Sequence, residues 1–234
     1  MSEIMRDTLA AGLPDLGLTL DANVQETLCA FARAMVKQNE VMNLTGITED
    51  APVAKLHLLD SLTVAACVDL KGKTLIDVGC GAGFPGVPLA IACPDTKVTL
   101  LDSLGKRMKW LESCVPTLGV SANYITARAE EAVATCRESY DVATSRAVAR
   151  LNILLELTAP YVKVEGCVVA LKGSAAKEEL AEAKNAIKKL GLQLEKVEEY
   201  EIDGAMHAVI VLTKVSPTPA VYPRRFAKIK QAPL

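Results

Sequence analysis

The sequence predicts a doubly wound α/β fold, a mostly parallel sheet with helices on both faces, preceded by a small helical cap. Three observations predict it. From Lys73 onward, short apolar runs alternate with amphipathic helical stretches, which places a parallel sheet between two helix layers. The first of those runs ends in a glycine-rich loop that opens a helix. The residues before Lys73 hold helical periodicity and no clear strand.

In the cap, Val24, Leu28, Phe31 and Met35 recur at helical spacing and predict a helix over 22–41, with Asp21 as its N-cap. A second helical stretch covers 49–67, with an interruption expected near Asp60. The core then reads as strands over 74–78, 98–101, 124–126, 140–144 and 167–171. Helices over 85–93, 106–118, 129–136, 151–161 and 177–190 alternate with them. Pro85 is tolerated in a first helical turn. Two last strands, 193–200 and 208–214, close the sheet as a hairpin-like edge, and Pro217 and Pro219 mark the exit from it. The expected organisation is a cap over 1–72, a core over 73–216 and a tail over 217–234.

Length and composition fit one hydrophobic core: 234 residues, 50% of them hydrophobic. No segment is apolar for long enough to cross a membrane. Residues 1–10 carry Glu3, Arg6 and Asp7 and no apolar leader, which points to the cytoplasm. The seven cysteines are scattered and form no C-x-x-C pair, so buried thiols are expected and no metal. A monomer without membrane partners is the expectation. The last fifteen residues hold Arg224, Arg225, Lys228 and Lys230 and no acid. They carry +4 against a net charge of −2, so the other 219 residues carry −6. Such asymmetry suggests a local patch for a polyanion.

The central motif is Asp77-Val78-Gly79-Cys80-Gly81-Ala82-Gly83-Phe84-Pro85-Gly86. Glycines let a backbone turn tightly and approach a ligand, and a helix start offers free N–H groups. Gly81-x-Gly83-x-x-Gly86 formally matches a dinucleotide fingerprint. Asp77 argues against it, because a carboxylate just before the loop repels a diphosphate and favours a cation. S-adenosylmethionine carries a sulfonium and an ammonium. Asp102 ends the second strand, where a carboxylate accepts both ribose hydroxyls. Glu130 follows the third strand, near where an adenine edge would lie. The reading is therefore a Rossmann-like S-adenosylmethionine-dependent methyltransferase fold with a seven-stranded sheet. Asp77, Gly79, Gly81 and Asp102 are its candidate cofactor residues.

After the fourth strand stands Thr144-Ser145-Arg146-Ala147. Enzymes that methylate exocyclic amines place an Asn/Asp/Ser-Pro-Pro-aromatic turn there, and cytosine-C5 enzymes need a cysteine nucleophile, commonly after a proline near this strand end. Neither motif is present there, and Cys93 precedes its proline. A nucleophile with its own lone pair, such as guanine N7, needs no general base. Arg146 takes the vacant position, where a fixed cation can pair with a base oxygen or a phosphate. Trp110 is expected in the core. Lys106 and Arg107 either touch phosphates or simply open a helix.

Together these residues resemble the RsmG (GidB) family of 16S rRNA guanine-N7 methyltransferases over nearly the whole chain. The resemblance is carried by Asn43-Leu44-Thr45, His57-x-x-Asp60-Ser61 and the glycine loop continued through Phe84-Pro85-Gly86-x-Pro88. Leu101-Asp102-Ser103 with Lys106-Arg107, then Ala129-Glu130, Ser145-Arg146-Ala147 and Tyr222-Pro223-Arg224-Arg225, complete it. It implies methylation of one guanine in the decoding-region loop of 16S rRNA, within the small ribosomal subunit or its precursor. It implies cofactor contacts at Gly79, Phe84, Ala129, Glu130 and Arg146. Asn43, His57, Arg146, Arg224, Arg225 and Lys228 are the candidate RNA contacts. The chain departs from the family after Tyr-Pro-Arg-Arg, with Ala227-Lys228-Ile229 where Gly-x-Pro is common. A small-molecule N-methyltransferase is the alternative within enzymes, and transfer to a metabolite would establish it. A non-catalytic protein that binds adenosylmethionine and RNA is the alternative outside them, marked by cofactor binding without transfer.

Overall fold

The structure is a computed structural model and describes residues 3–234; the first two residues of the predicted cap lie outside the described residues. Seven strands form one sheet in the order β3-β2-β1-β4-β5-β7-β6. They are β1 (Thr74–Val78), β2 (Lys97–Asp102), β3 (Asn123–Thr126), β4 (Tyr140–Arg146), β5 (Val162–Lys172), β6 (Leu192–Ile202) and β7 (Ala205–Lys214). The pairs among β1 to β5 are parallel, and β7 runs antiparallel to both β5 and β6. The two last strands do pair as a hairpin, but β7 is inserted inside the sheet rather than left at its edge. Reversal of β7 has a positional consequence. Its first residues lie at the carboxyl edge of the parallel strands, with Ala208 opposite Lys172.

Alternation along each strand divides the core between the two faces. Leu75, Val142 and Val169 pack towards the cap and the helices α5 (Gly86–Ala92) and α6 (Gly105–Cys114). Ile76, Ala143 and Val168 pack towards α7 (Ala129–Cys136), α8 (Leu151–Thr158), α9 (Ala176–Glu182) and α10 (Lys184–Lys189). Strands buried on both faces explain why they read as short continuous apolar runs. Two predicted helices finish as 3-10 turns, Val115–Leu118 and Ala159–Tyr161, each with a proline at its start. Proline cannot donate the next helical hydrogen bond.

The cap begins with a helix absent from the sequence reading, α1 (Glu3–Gly12), which buries Met5 and Leu9. Next comes α2 (Ala22–Asn39), with Leu28, Phe31 and Met35 buried as their spacing requires. Asp21 has the extended backbone of an N-cap but makes no side-chain cap bond. The stretch 49–67 is not broken at Asp60. It runs through α3 (Asp50–Val53), a widened π-helical segment (Ala54–Leu59) and α4 (Asp60–Cys67). Trp110, partly buried, stacks on Phe31 with ring centroids 6.1 Å apart and packs against the core.

The tail is folded onto the core. It carries a helix, α11 (Phe226–Gln231), with Ile229 fully buried. Arg137 donates to the carbonyls of Thr218 and Tyr222, both at 2.8 Å. Arg224 corrects one expectation. Its Nε and Nη2 donate to the two carboxylate oxygens of Glu156 at 2.8 and 2.6 Å, and Glu156 is fully buried on α8. Arg224 therefore anchors the tail and is not a free cation for RNA, whereas Arg225 and Lys228 are exposed. Arg224→Ala leaves a carboxylate buried without its partner, which costs roughly 3–5 kcal/mol. Thermal unfolding is expected to show a Tm lower by roughly 10 °C; an unchanged Tm would remove the anchoring role.

Candidate active site

The carboxyl ends of β1, β2, β4 and β5 meet beneath the cap, at the point where the strand order reverses between β1 and β4. Doubly wound sheets bind ligands there. The cavity at this point has a volume of about 420 Å³, within the roughly 300–1,000 Å³ of small-molecule sites. Its floor is the loop after β1. Gly79 and Gly81 have φ of 75° and 56°, a region that side chains rarely enter. A Cβ at Gly81 would meet no neighbour closer than 4.0 Å and would stand in the cavity. Gly86 serves packing instead, because a Cβ there would come within 2.4 Å of Leu100 and 2.8 Å of Asp77.

Asp102 closes one side. Its Oδ2 accepts the Gly81 N–H at 2.9 Å and its Oδ1 accepts the Leu104 N–H at 2.8 Å. Each oxygen keeps a second lone pair, so the carboxylate both holds the loop and can receive a diol. Ala129 and Glu130, at the start of α7 and just past β3, the strand that pairs with β2, line the cavity with Arg128. Phe226 of the tail also reaches this cavity, although the sequence reading gave it no role. Arg107 lines it as well and donates from Nη2 to the Asn43 carbonyl at 3.0 Å, tying α6 to the cap. Asn43 itself is exposed and does not line the cavity; its neighbours Leu44 and Thr45 do.

Asp77 is placed differently from the expectation. It is fully buried, lies beneath the loop rather than on the cavity wall, and accepts the Gly86 N–H at 2.7 Å. Burial pushes its carboxyl up to about 7, against the Gly86 N–H and Arg146, which pull it down. The acids on the wall are Asp102 and Glu130.

Arg146 ends β4 and enters the cavity within a polar chain of five side chains. Its Nη1 donates to Asp60 Oδ2 and to the Leu56 carbonyl, both at 2.8 Å. Its Nη2 lies 3.3 Å from His57 Nδ1. His57 Nε2 is 2.8 Å from Thr45 Oγ1, and Asp60 Oδ1 is 2.8 Å from His207 Nδ1. Phe84 backs the group, with its ring 4.9 Å from that of His57 and 5.3 Å from the Arg146 guanidinium carbon. The π-helical segment supplies both His57 and the Leu56 carbonyl. Widened turns of this kind often mark functional sites.

Electrostatics follow from this packing. Burial and then the adjacent Arg146 charge hold His57 down to about 4, so it is neutral near pH 7. Both ring nitrogens are engaged, which makes it part of the scaffold rather than the free RNA contact expected of it. Burial pushes Asp60 up, but His207 and Arg146 outweigh burial and hold its carboxyl below the usual range. The bond to Asp60 raises His207. An unfolded histidine takes up its proton below about 6.5, whereas folded His57 resists it until about 4. Stability carried by neutral His57 is therefore present above 6.5 and is lost as pH falls towards 4. Denaturation midpoints across that window should fall in the wild type and fall less in His57→Gln. Equal slopes would show that His57 is not buried neutral.

Asp60, Thr45 and His207 join the site without having been assigned roles from sequence. His57 and Asp60, three apart in a helical stretch, share a face, and that spacing was legible. His207 lies 147 residues from Asp60, and only the reversal of β7 brings it here. Among the described residues no three His, Cys, Asp or Glu side chains cluster as a metal site, and no helix is long and apolar enough to cross a membrane.

Residues 24–207 match the GidB family, described as rRNA small subunit methyltransferase G. The "Ribosomal RNA small subunit methyltransferase G" of Clostridium botulinum (strain Alaska E43 / Type E3) is 41% identical, covering 97% of this chain and 98% of that protein. The protein of the same name from Alkaliphilus metalliredigens (strain QYMF) is 43% identical, covering 93% of each. Among solved structures, the 16S rRNA (adenine(1408)-N(1))-methyltransferase of Catenulisporales acidiphilia, crystallised with its cosubstrate SAM, superposes with a TM-score of 0.53 at 16% identity. That match covers 64% of this chain and 88% of that one, and it supports the fold alone. With its glycine loop, its cap and its match over most of its length, the chain belongs to the GidB family of rRNA small subunit methyltransferases G.

Proposed function

We propose that this protein methylates N7 of a single guanine in the decoding-region loop of 16S rRNA, using S-adenosylmethionine, by positioning and without a general base. The observation that carries this reading is the Arg146 cluster at the mouth of the glycine-loop cavity. That cluster offers the cofactor cavity a fixed cation, and its raised histidine, His207, is bonded to Asp60 and does not line that cavity. His57 is held too low to accept a proton at neutral pH, and Asp77, whose carboxyl is pushed up to about 7, does not reach the cavity wall. Such a site suits an acceptor that brings its own lone pair, as guanine N7 does.

The residues present fit the cofactor. Asp102 would accept from the ribose hydroxyls, Ala129 and Glu130 would face the adenine, and Gly79, Gly81 and Phe84 would line its path. When bound, S-adenosylmethionine supplies a methyl group on a sulfonium. The protein's own contribution is alignment. Loop and cap hold two partners at short range, which alone lowers a bimolecular barrier by several kcal/mol, up to roughly 7–11. Arg146 keeps donors for the base: Nη1 is fully used, but Nε–H and one Nη2–H have no protein partner among the described residues. Arg225, exposed beside the cavity, and Lys228, exposed on the docked tail, would neutralise phosphates.

The test is transfer itself. Purified protein, labelled S-adenosylmethionine and unmethylated small ribosomal subunits should yield labelled 7-methylguanosine in nuclease digests analysed by mass spectrometry. Label in any other nucleoside, or only in small metabolites, would refute the assignment.

A further inference from the structure

We propose that a second cavity, on the other side of Arg146, is the pocket for the acceptor guanine, and that Glu179 reads its Watson–Crick edge. The inference rests on the guanine-N7 reading above. The cavity has a volume of about 540 Å³ and shares His57, Arg146, Ala147 and Val148 with the cofactor cavity. Donor and acceptor must meet across a short gap, so an acceptor site has to open onto the cofactor site. This one does, with the Arg146 side chain forming part of both walls.

Hydrogen bonds within the protein decide which of its polar groups are free to recognise a ligand. Asp60 gives one oxygen to Arg146 and the other to His207. His57 has both ring nitrogens engaged. Lys172 gives two of its three N–H donors to the Ala149 carbonyl and to Glu179, and Arg150 gives Nε and Nη2 to Glu182 and Glu178, so these two keep only spare donors. Three further groups keep capacity. Arg146 has two unused N–H donors, and His207 keeps Nε2. Glu179 spends only Oε2, on the Leu151 N–H and on Lys172, both at 2.8 Å. Its Oε1 accepts no hydrogen bond from the described residues and is not sealed from solvent.

A cation with spare donors and a carboxylate oxygen with two spare lone pairs match one nucleobase edge. Guanine presents the O6 acceptor beside two donors, N1–H and the N2 amino group. Arg146 donates to O6, as arginine commonly does in base recognition, and Glu179 Oε1 accepts from N1–H and N2–H. Adenine, with an amino group at C6 and an acceptor at N1, reverses both interactions. Because N7 adjoins O6 on the side away from N1, this placement turns N7 towards the cofactor cavity. Fixing O6 on the shared wall thus orients the nucleophile.

Small subunits reconstituted with ligated 16S rRNA test this, carrying guanosine, inosine or 7-deazaguanosine at the methylated position. Inosine keeps O6, N1–H and N7 but lacks the N2 amino group. Wild-type kcat/KM on inosine should be roughly tenfold lower than on guanosine, and in Glu179→Gln the ratio should fall towards one. The ratio is internal to each preparation, so partial misfolding of the variant does not affect it. Equal wild-type rates on guanosine and inosine overturn the pocket assignment, as does a Glu179→Gln enzyme that still discriminates tenfold. The 7-deazaguanosine arm tests the parent reading separately: full methylation there would show that N7 is not the acceptor. An inert 7-deazaguanosine with no inosine effect would leave the parent reading standing and remove only this pocket.

Discussion

Arg146→Ala is expected to lower kcat by a factor on the order of 10²–10³, the usual loss when a fixed electrostatic donor is removed from a reacting centre. Stability should fall as well, because Asp60 is nearly buried and Arg146 is one of its two charged partners. Removing a buried partner can cost about 3–5 kcal/mol, and the retained His207 keeps the loss towards the lower end. The two effects separate in Arg146→Lys. Lysine keeps the charge that Asp60 needs but lacks the planar fork that reaches Asp60, the Leu56 carbonyl and His57 together. Chemical denaturation should place Arg146→Lys close to the wild type, while turnover falls at least roughly tenfold. Wild-type turnover in that variant would reduce Arg146 to a structural residue.

Asp102→Ala is the second large effect. The carboxylate organises the loop by accepting from Gly81 and Leu104, and it faces the cavity where a ribose is expected. Hydrogen bonds to a charged group contribute about 1.5–3 kcal/mol. Calorimetry should therefore show S-adenosylmethionine binding weaker by a factor on the order of 10–100. Asp102→Asn keeps one acceptor oxygen and should fall between the two. Unchanged affinity in Asp102→Ala would take this residue out of the site.

The fold was legible because burial on both faces leaves a simple trace. Strands such as Thr74–Val78 are short apolar runs, and the loop after β1 needs glycine wherever φ is positive or a Cβ would strike a neighbour. Part of the cavity lining was legible for a related reason: Gly79, Asp102 and Glu130 sit on loops at strand ends and could be counted along the chain, whereas Ala129 came from the family resemblance. Contacts between distant segments were not legible. The insertion of β7 between β5 and β6 brings His207 to Asp60, and no local pattern encodes that pairing. The basic character of the tail is visible in sequence, whereas its docking is not, because the buried Glu156 that captures Arg224 lies inside an apolar helix, 68 residues away. Asp77 was read from its sign alone. Its position beneath the loop, bonded to Gly86, depends on which way the last residues of β1 alternate.

Crystals soaked with S-adenosylmethionine and NAD together test the central claim most directly, that the cavity above the glycine loop takes a sulfonium nucleoside. S-adenosylmethionine should be found there, its ribose on Asp102 and its adenine beside Glu130. A dinucleotide in that cavity, with its diphosphate over Gly79 and Gly81, would contradict it.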